Sequence, residues 1–209
     1  MAIWTRKQFD AVGITQSPTG PYLRSVQNQF GGTVMLMIDI SGSMGGARIV
    51  NAAAGARLFV EEAVAAHYAV GVMLWNDQVV DVCSPNKDGQ SALRILGPLS
   101  HAHGGNSLIQ PLEECDMILR DFSGDRVVAL FGDGDITPKD AVLAKVAEMK
   151  SNGIRFVTRG LGHHAAQEFA EISDERSESV LVQSVEQLST SIASMASSLN
   201  QRADSDRAI

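Results

Sequence analysis

Short runs of apolar residues alternate along this chain with longer segments in which apolar and polar positions recur at helical spacing. Residues 33–40, TVMLMIDI, are almost continuously apolar, which is typical of a strand buried on both faces of a sheet. Further strands are predicted over residues 68–75, 126–131, 154–160 and 179–183. Residues 78–83 follow an Asn-Asp turn, and we expect them to pair with the preceding strand as a hairpin.

Helices are predicted between these strands. Leu108, Leu112, Cys115 and Leu119 lie at positions i, i+4, i+7 and i+11, so they form one apolar stripe along a helix. Helical patterns of the same general kind extend over residues 47–67, 88–96, 138–152, 165–172 and 185–199.

Local signals predict where two of these helices begin. Thr137 and Pro138 suit the N-cap and the first helical position of the helix that ends near Asn152. Ser184 and Gln187 have the spacing of a capping box, which would start the last helix.

Regular alternation of strands and helices requires crossover connections, and these produce mostly parallel sheets. We therefore predict an α/β fold over residues 32–199: a doubly wound, mostly parallel central sheet flanked by helices, with one antiparallel edge strand. Residues 1–31 are expected to form an N-terminal arm with a short helix at 5–12, and residues 200–209 a polar tail. In such a sheet, ligands bind at the carboxyl ends of the strands.

The composition is that of a globular protein, with 209 residues of which 44% are hydrophobic and 20% charged. The formal net charge is −7, and neither a basic stripe for nucleic acid nor a polybasic patch for a membrane is present. No apolar run approaches the ~20 residues that span a bilayer, and residues 1–10 do not resemble a secretory signal. Cys83 and Cys115 are expected to be buried thiols, and the cytoplasm is the expected location.

Three clusters of side-chain oxygens fall where predicted strands or loops end. Asp39, Ser41 and Ser43 occupy alternate positions directly after the first strand, and can place three oxygens on one side of a turn. Residues 104–107, GGNS, lead into a helix, and residues 133–135, DGD, follow a later strand. Hard cations such as Mg²⁺ prefer oxygen ligands, and glycine lets the backbone approach an ion closely. These segments therefore contain candidate metal ligands.

Together, the three segments resemble the von Willebrand factor type A (vWA) domain family. The family pattern is DxSxS after the first strand, a GGT-like loop before a helix and DG after a later strand. In the family these segments form a metal-ion-dependent adhesion site. The resemblance extends over residues 32–199 and implies a Rossmann-like fold. It also implies that Ser41 and Ser43 bind the metal through their hydroxyls, and that Asp39 and Asp133 hold waters of the ion or bind it directly.

One position departs from the family pattern. Asn106 stands where the family usually has threonine, so its amide oxygen, or the hydroxyl of the adjacent Ser107, would take that place. The implied metal is Mg²⁺, with Mn²⁺ or Ca²⁺ as alternatives. The ion would keep positive charge and an open position, which an Asp or Glu of a protein partner would fill. The resemblance thus implies a non-enzymatic adhesion or scaffold domain.

Two alternatives remain open. Residues 41–45, SGSMG, approach the G-x-S-x-G pattern of α/β-hydrolases, with Ser43 as nucleophile and Asp133 and His163 as its partners. However, the first glycine of that pattern is replaced by serine, and the segment follows the first strand rather than a later one. A vWA scaffold with a degenerate metal site is the second alternative, and the departure at Asn106 supports it.

The histidines and Asp135 have simpler interpretations. His101, His103, His163 and His164 lie in predicted loops, where we expect them to be solvated. A second site for a softer ion such as Zn²⁺ is the alternative. Asp135 is either an additional ligand or an acidic residue that stabilises the start of the next helix.

Overall fold

The computed structural model describes residues 31–97, 99–134 and 136–199. The helix predicted over residues 5–12, the rest of the predicted arm before residue 31, Asp135 and the predicted tail over residues 200–209 lie outside these ranges. The interpretations of those segments stay predictions.

Six strands form one sheet in the described part of the chain: β1 (Thr33–Asp39), β2 (Ala69–Trp75), β3 (Val79–Asn86), β4 (Arg126–Gly132), β5 (Ile154–Leu161) and β6 (Leu181–Val182). Their order is β3-β2-β1-β4-β5-β6. Neighbouring strands are parallel except β2 and β3, which are antiparallel at one edge. The predicted mostly parallel sheet with one antiparallel edge strand is therefore confirmed.

Among the described residues, α-helices connect or flank these strands: α1 (Ala47–Ala65), α2 (Gln90–Leu96), α3 (Ile109–Arg120), α4 (Lys139–Ser151), α5 (His163–Ala170), α6 (Ser177–Val180) and α7 (Leu188–Leu199). Short 3₁₀ turns at Gly42–Met44 and Val185–Gln187 precede α1 and α7. None of these helices is long and apolar enough to cross a membrane.

Alternate side chains of a central strand face opposite sides of the sheet. In β1, Val34, Leu36 and Ile38 pack with α1, α2 and α7, whereas Met35 and Met37 pack with α3, α4 and α5. All of these side chains are fully buried. Because helices cover both faces, the strand is continuously apolar rather than alternating.

The order of the strands brings two distant chain segments together. The chain passes from β1 through α1 to β2 on one side, and from β4 through α4 to β5 on the other. The connections therefore diverge between the neighbours β1 and β4, which is where such sheets form a crevice for a ligand. Ile38 pairs with Phe131, so Asp39 and Asp133 follow the ends of adjacent strands.

Helix α4 begins one residue later than predicted, and the positions assigned to Thr137 and Pro138 are wrong. Pro138 is the N-cap, with an extended backbone (ψ 127°), and Lys139 is the first helical residue. The Pro138 carbonyl accepts the hydrogen bond of the Val142 N–H. The Thr137 carbonyl instead accepts the N–H of Leu108, so it ties this loop to the start of α3.

The end of the domain also differs from the prediction. The last strand shortens to β6, because Ser177–Val180 form a helical turn. The predicted capping box is wrong, since the Ser184 side chain makes no capping hydrogen bond. Its carbonyl accepts the Gln187 N–H across a 3₁₀ turn, so the α-helix begins only at Leu188.

Helix α7 lies directly against α1 at Gly55. A Cβ atom at this position would lie 2.5 Å from the Ser189 carbonyl oxygen and 2.8 Å from the Ser189 Cα. The two helix backbones therefore leave no space for a side chain. Glycine is required here in spite of its low helix propensity.

We expect Gly55→Ala to lower the free energy of unfolding by up to about 2 kcal/mol, because an overpacking cost of about 1–3 kcal/mol outweighs the gain of about 1 kcal/mol in helix propensity. Leu58→Ala is the control, since Leu58 lies on the same helix and is 46% exposed. Its effect should stay within about 0.5 kcal/mol. Urea denaturation measures both, and an unchanged Gly55→Ala protein would show that the two helices tolerate a wider separation.

Candidate metal site

The carboxylate of Asp39 forms the floor of the site. Asp39 is the last residue of β1 and is fully buried. The Ser41 N–H donates to Asp39 Oδ1 at 2.7 Å, an Asx turn that redirects the chain directly after the strand. Asp39 Oδ2 is buried and has no hydrogen-bond partner among the described residues. A buried carboxylate oxygen without a partner is unfavourable, so its place in the fold requires an explanation.

The loop after β1 holds two serine hydroxyls beside this carboxylate. The Met44 N–H donates to the Ser41 carbonyl, and the Met44 side chain is fully buried in the core. This anchor fixes the turn while Ser43 stays exposed. The Ser41 and Ser43 hydroxyl oxygens are 3.1 Å apart. The loop therefore runs from the buried floor of the site to its exposed mouth.

Asp133 reaches the same place from the end of β4. Its side chain is only 2% exposed, although it lies in a loop. The Ser43 hydroxyl donates to Asp133 Oδ1 at 2.7 Å, and the Arg48 guanidinium donates to Oδ2 at 2.6 Å. The structure thus brings together four of the predicted ligand residues: Asp39, Ser41, Ser43 and Asp133.

Glycines on both sides of Asp133 allow neighbouring segments to come close. A Cβ atom at Gly132 would lie 3.0 Å from Asp39 Oδ2, and one at Gly134 would lie 1.8 Å from Asn106 Nδ2. Side chains at these positions would displace the carboxylate or the amide. Close packing therefore requires both glycines.

Backbone hydrogen bonds fasten the loop that contains Asn106 to the loop after β1. The Gly42 N–H donates to the Gly104 carbonyl at 3.3 Å, and the His103 N–H donates to the Ile40 carbonyl at 2.8 Å. These bonds hold the two loops side by side at the carboxyl edge of the sheet.

Asn76 supports this second loop, although sequence analysis treated it only as part of a turn. Its side chain Nδ2 donates to the His103 carbonyl at 2.9 Å, and its own carbonyl accepts the Ser107 N–H at 3.0 Å. Its Oδ1 accepts the Gln78 N–H at 3.1 Å. One residue therefore ties the β2–β3 hairpin to the loop that carries Asn106.

Asn106 lies at a third side of the site. Its side chain contacts Gly134, directly after Asp133. Its Oδ1 is buried and, within the described ranges, has no hydrogen-bond partner. The adjacent Ser107 contributes a backbone N–H to the loop. Of the two candidates for the loop ligand, Asn106 is the one with an unpaired buried oxygen.

The buried half of the site carries excess negative charge. Burial raises the pKa of Asp39 from 3.8 to about 6. Hydrogen bonds from Ser41 and from the Asp133 backbone oppose this increase in pKa, and the negative charge of Asp133 adds to it. Arg48 forms its ion pair with Asp133 and not with Asp39. Asp39 Oδ2 therefore has no hydrogen-bond partner among the described residues. A cation near Asp39 would relieve the unfavourable burial of its charge.

Sequence reasoning missed Arg48 and the supporting role of Asn76, but a signal existed for each. Arg48 lies in the first turn of α1, where the helix dipole disfavours a cation and where no acidic residue is present. Asn76 is a polar residue that directly follows a continuously apolar strand. Both were anomalies that suggested a tertiary partner.

The histidines do not provide a second metal site in the part of the chain that the structure describes. No group of three or more His, Cys, Asp or Glu side chains is placed there to hold an ion. His163 and His164 are not loop residues as predicted, because Gly162 (φ 86°) lets α5 begin directly after β5. His101 Nδ1 lies 2.9 Å from the Ser100 hydroxyl. The zinc alternative therefore gains no support.

Comparison with protein families gives a match to the von Willebrand factor type A domain over residues 34–135. The matched region contains all three oxygen-bearing segments of the site. A comparison with curated protein sequences finds no match.

Several solved structures share the fold. The vWF domain of the type V pili tip protein Mfa5 from Porphyromonas gingivalis has a TM-score of 0.68 and 12% identity, over 82% of this chain and 95% of that chain. The pilus adhesin SpaC from Lactobacillus rhamnosus GG has a TM-score of 0.65 and 14% identity, over 80% of this chain and 30% of that chain. Proximal thread matrix protein 1 from the mussel byssus, with a zinc-occupied MIDAS motif, has a TM-score of 0.62 and 14% identity, over 79% of this chain and 44% of that chain.

This chain therefore spans less than half the length of SpaC and of the mussel protein, and nearly all of the Mfa5 domain. At these identities the likeness establishes the fold. The family match, the strand order and the convergence of the three segments agree with one another. Residues 34–135 therefore match the von Willebrand factor type A domain, and the described residues have the fold of such domains.

We expect Asp39→Asn to stabilise the metal-free protein at neutral pH. The folded pKa of Asp39, about 6, lies above its unfolded value of 3.8, so ionisation destabilises the fold as the pH rises through this window. Removal of the charge should raise the free energy of unfolding by up to about 3 kcal/mol at pH 7. Urea denaturation in chelator measures the free energy of unfolding of both proteins. The difference between them should increase from about pH 4 to about pH 6 and stay constant at higher pH.

Glu61→Gln is the control, because it removes an exposed carboxylate from α1. Its effect on stability should stay within about 0.5 kcal/mol. Equal stability of wild type and Asp39→Asn at every pH would contradict an uncompensated buried carboxylate.

Proposed function

We propose that this chain is a divalent-metal-dependent protein-binding domain of the adhesion or scaffold kind. The single observation that supports this most strongly is Asp39 Oδ2, which is buried and unpartnered among the described residues. It lies where hydroxyl and carboxylate oxygens from separate chain segments converge. A bound divalent cation would supply the positive charge that this arrangement lacks.

The donors suit a hard divalent ion, and we propose Mg²⁺, with Mn²⁺ or Ca²⁺ as alternatives. The proposed ligands are all oxygens, from Asp39, Ser41, Ser43, Asn106 and Asp133. The Ser43 hydroxyl directs its proton to Asp133, so its lone pairs remain for a cation. The zinc-occupied MIDAS motif of the mussel protein supports a divalent ion in a domain of this fold.

The site has a buried floor and an exposed mouth, since Asp39 and Ser41 are buried and Ser43 is exposed. Five proposed oxygen ligands would leave one of the six positions around Mg²⁺ open at the exposed mouth, where an oxygen from outside could bind. We propose that an Asp or Glu of a protein partner supplies it. The loops over residues 42–46 and 99–107 surround the mouth and would select the partner.

The proposed partner is neither nucleic acid nor a membrane surface, because a formal net charge of −7 disfavours both. The cytoplasm is the proposed location. This proposal rests on the thiols of Cys83 and Cys115, which are both free.

We propose binding rather than catalysis as the role of this site. A serine nucleophile needs a base, typically histidine, and a strained turn that exposes its oxygen. The Ser43 hydroxyl instead donates to Asp133, which is paired with Arg48. Ser43 lies in a 3₁₀ turn, and His67 is the only described non-glycine residue with positive φ. Both observations favour the metal site over the hydrolase alternative.

Titration calorimetry with Mg²⁺ and Mn²⁺ tests the metal site. We expect wild type to bind the ion and Asp39→Ala to lose most of this binding. Asn106→Ala should weaken it by at least about tenfold. The matched control Ser107→Ala should leave it unchanged, because the unpaired buried oxygen belongs to Asn106. Negligible heat from wild type would favour the degenerate scaffold instead.

Affinity capture tests the partner. The immobilised chain should retain a protein in Mg²⁺ and release it in chelator, and Asp39→Ala should retain none under either condition. Substitution of the acidic residues in the captured protein's interface should abolish retention. A partner held equally in chelator and by Asp39→Ala would contradict a metal-centred contact.

A further inference from the structure

We propose that Arg48 is a tethered cation that competes with the metal ion for Asp133, and so sets the metal concentration at which the site fills. This inference rests on the metal-binding function proposed above. It concerns how the chain itself regulates that site.

The contact between Arg48 and the site is direct. Arg48 Nη1 donates to Asp133 Oδ2 at 2.6 Å and to the Ser43 carbonyl at 3.0 Å. The guanidinium therefore bridges the loop after β1 and the loop after β4. Both acceptors belong to the residues proposed to hold the ion, so Arg48 occupies an oxygen that the ion, or its waters, would use.

The two side chains of the Arg48–Asp133 ion pair differ in exposure, and this difference allows Arg48 to leave. The Arg48 side chain is 42% exposed, whereas the Asp133 side chain is 2% exposed. Arg48 has a long side chain whose head can move into water, while Asp133 is held by the Ser43 hydroxyl and by packing. Exchange of one cation for another at Asp133 therefore requires movement of Arg48 alone.

The charge that an incoming ion meets depends on Arg48. With Arg48 in place, the formal charges of Asp39 and Asp133 are offset by one positive charge, and without it they are not. The guanidinium repels a divalent ion and holds one of its acceptors. The helix dipole at the first turn of α1 also disfavours Arg48, which makes its release easier once another cation neutralises Asp133.

A purely structural Arg48 would act in the opposite direction. If the guanidinium only positions Asp133 for the ion, its removal should weaken metal binding. If it competes with the ion, its removal should strengthen metal binding. The sign of the change in metal affinity therefore separates the two roles.

Titration calorimetry with Mg²⁺ on Arg48→Gln tests the proposal. Glutamine keeps hydrogen-bond donors and removes the charge, so we expect Mg²⁺ affinity to rise about five- to tenfold. Arg48→Lys keeps the charge and should stay within about threefold of wild type. Arg176→Gln controls for net charge, because Arg176 is exposed and shares a groove with Arg155, near the amino end of β5 and away from the site.

Thermal unfolding provides a second readout. In chelator, Arg48→Gln should have a lower Tm than wild type, because buried Asp133 loses its cationic partner. Saturating Mg²⁺ should then raise the Tm of Arg48→Gln by more than that of wild type.

The outcomes are distinguishable. Normal Mg²⁺ binding by wild type with equal or weaker binding by Arg48→Gln would overturn competition and leave the metal site intact. Absence of Mg²⁺ binding in both proteins would contradict the proposed function and this inference with it. Binding by Arg48→Gln alone would support competition by showing that Arg48 keeps the ion out at the concentrations used.

Discussion

A carboxylate at the end of a central strand is hard to bury unless something compensates its charge. Asp39 is fully buried, and its Oδ2 has no hydrogen-bond partner among the described residues. Three features hold the Asp39 carboxylate in this position: the Asx turn to Ser41, the buried Met44 side chain and the absence of a side chain at Gly132. The domain thus maintains an unfavourable charge at the base of an open site, which is where a cation has most to contribute.

The sheet topology makes this possible, because it joins segments that are far apart in the chain. The connections diverge between β1 and β4, so the loops that follow Asp39 and Gly132 share one crevice. Because helices cover both faces of the sheet, the side chains of the central strands are apolar. The polar residues of the site lie at the carboxyl edge of the sheet. The core therefore specifies the fold, and the strand ends specify the chemistry.

The two carboxylates of the site are in different electrostatic situations. Asp133 is neutralised by Arg48 and accepts a hydrogen bond from the Ser43 hydroxyl, whereas Asp39 has only hydrogen bonds, from Ser41 and the Asp133 backbone, to offset its charge. Asp39 is therefore the carboxylate of this pair whose charge no described side chain neutralises. Arg48 is partly exposed, so its ion pair with Asp133 lies at the surface that a partner of this site would meet.

Hydrophobic periodicity and glycine-rich turns are local signals, so they predict the α/β class, most strand and helix positions and the three oxygen-bearing segments. Local rules failed at Thr137 and Ser184, where tertiary contacts and a 3₁₀ turn replaced the expected caps. The ion pair of Arg48 with Asp133, 85 residues away, and the hydrogen bond from Asn76 to a neighbouring loop are visible only in the folded protein. Such contacts depend on strand order and burial, which no short stretch of sequence contains.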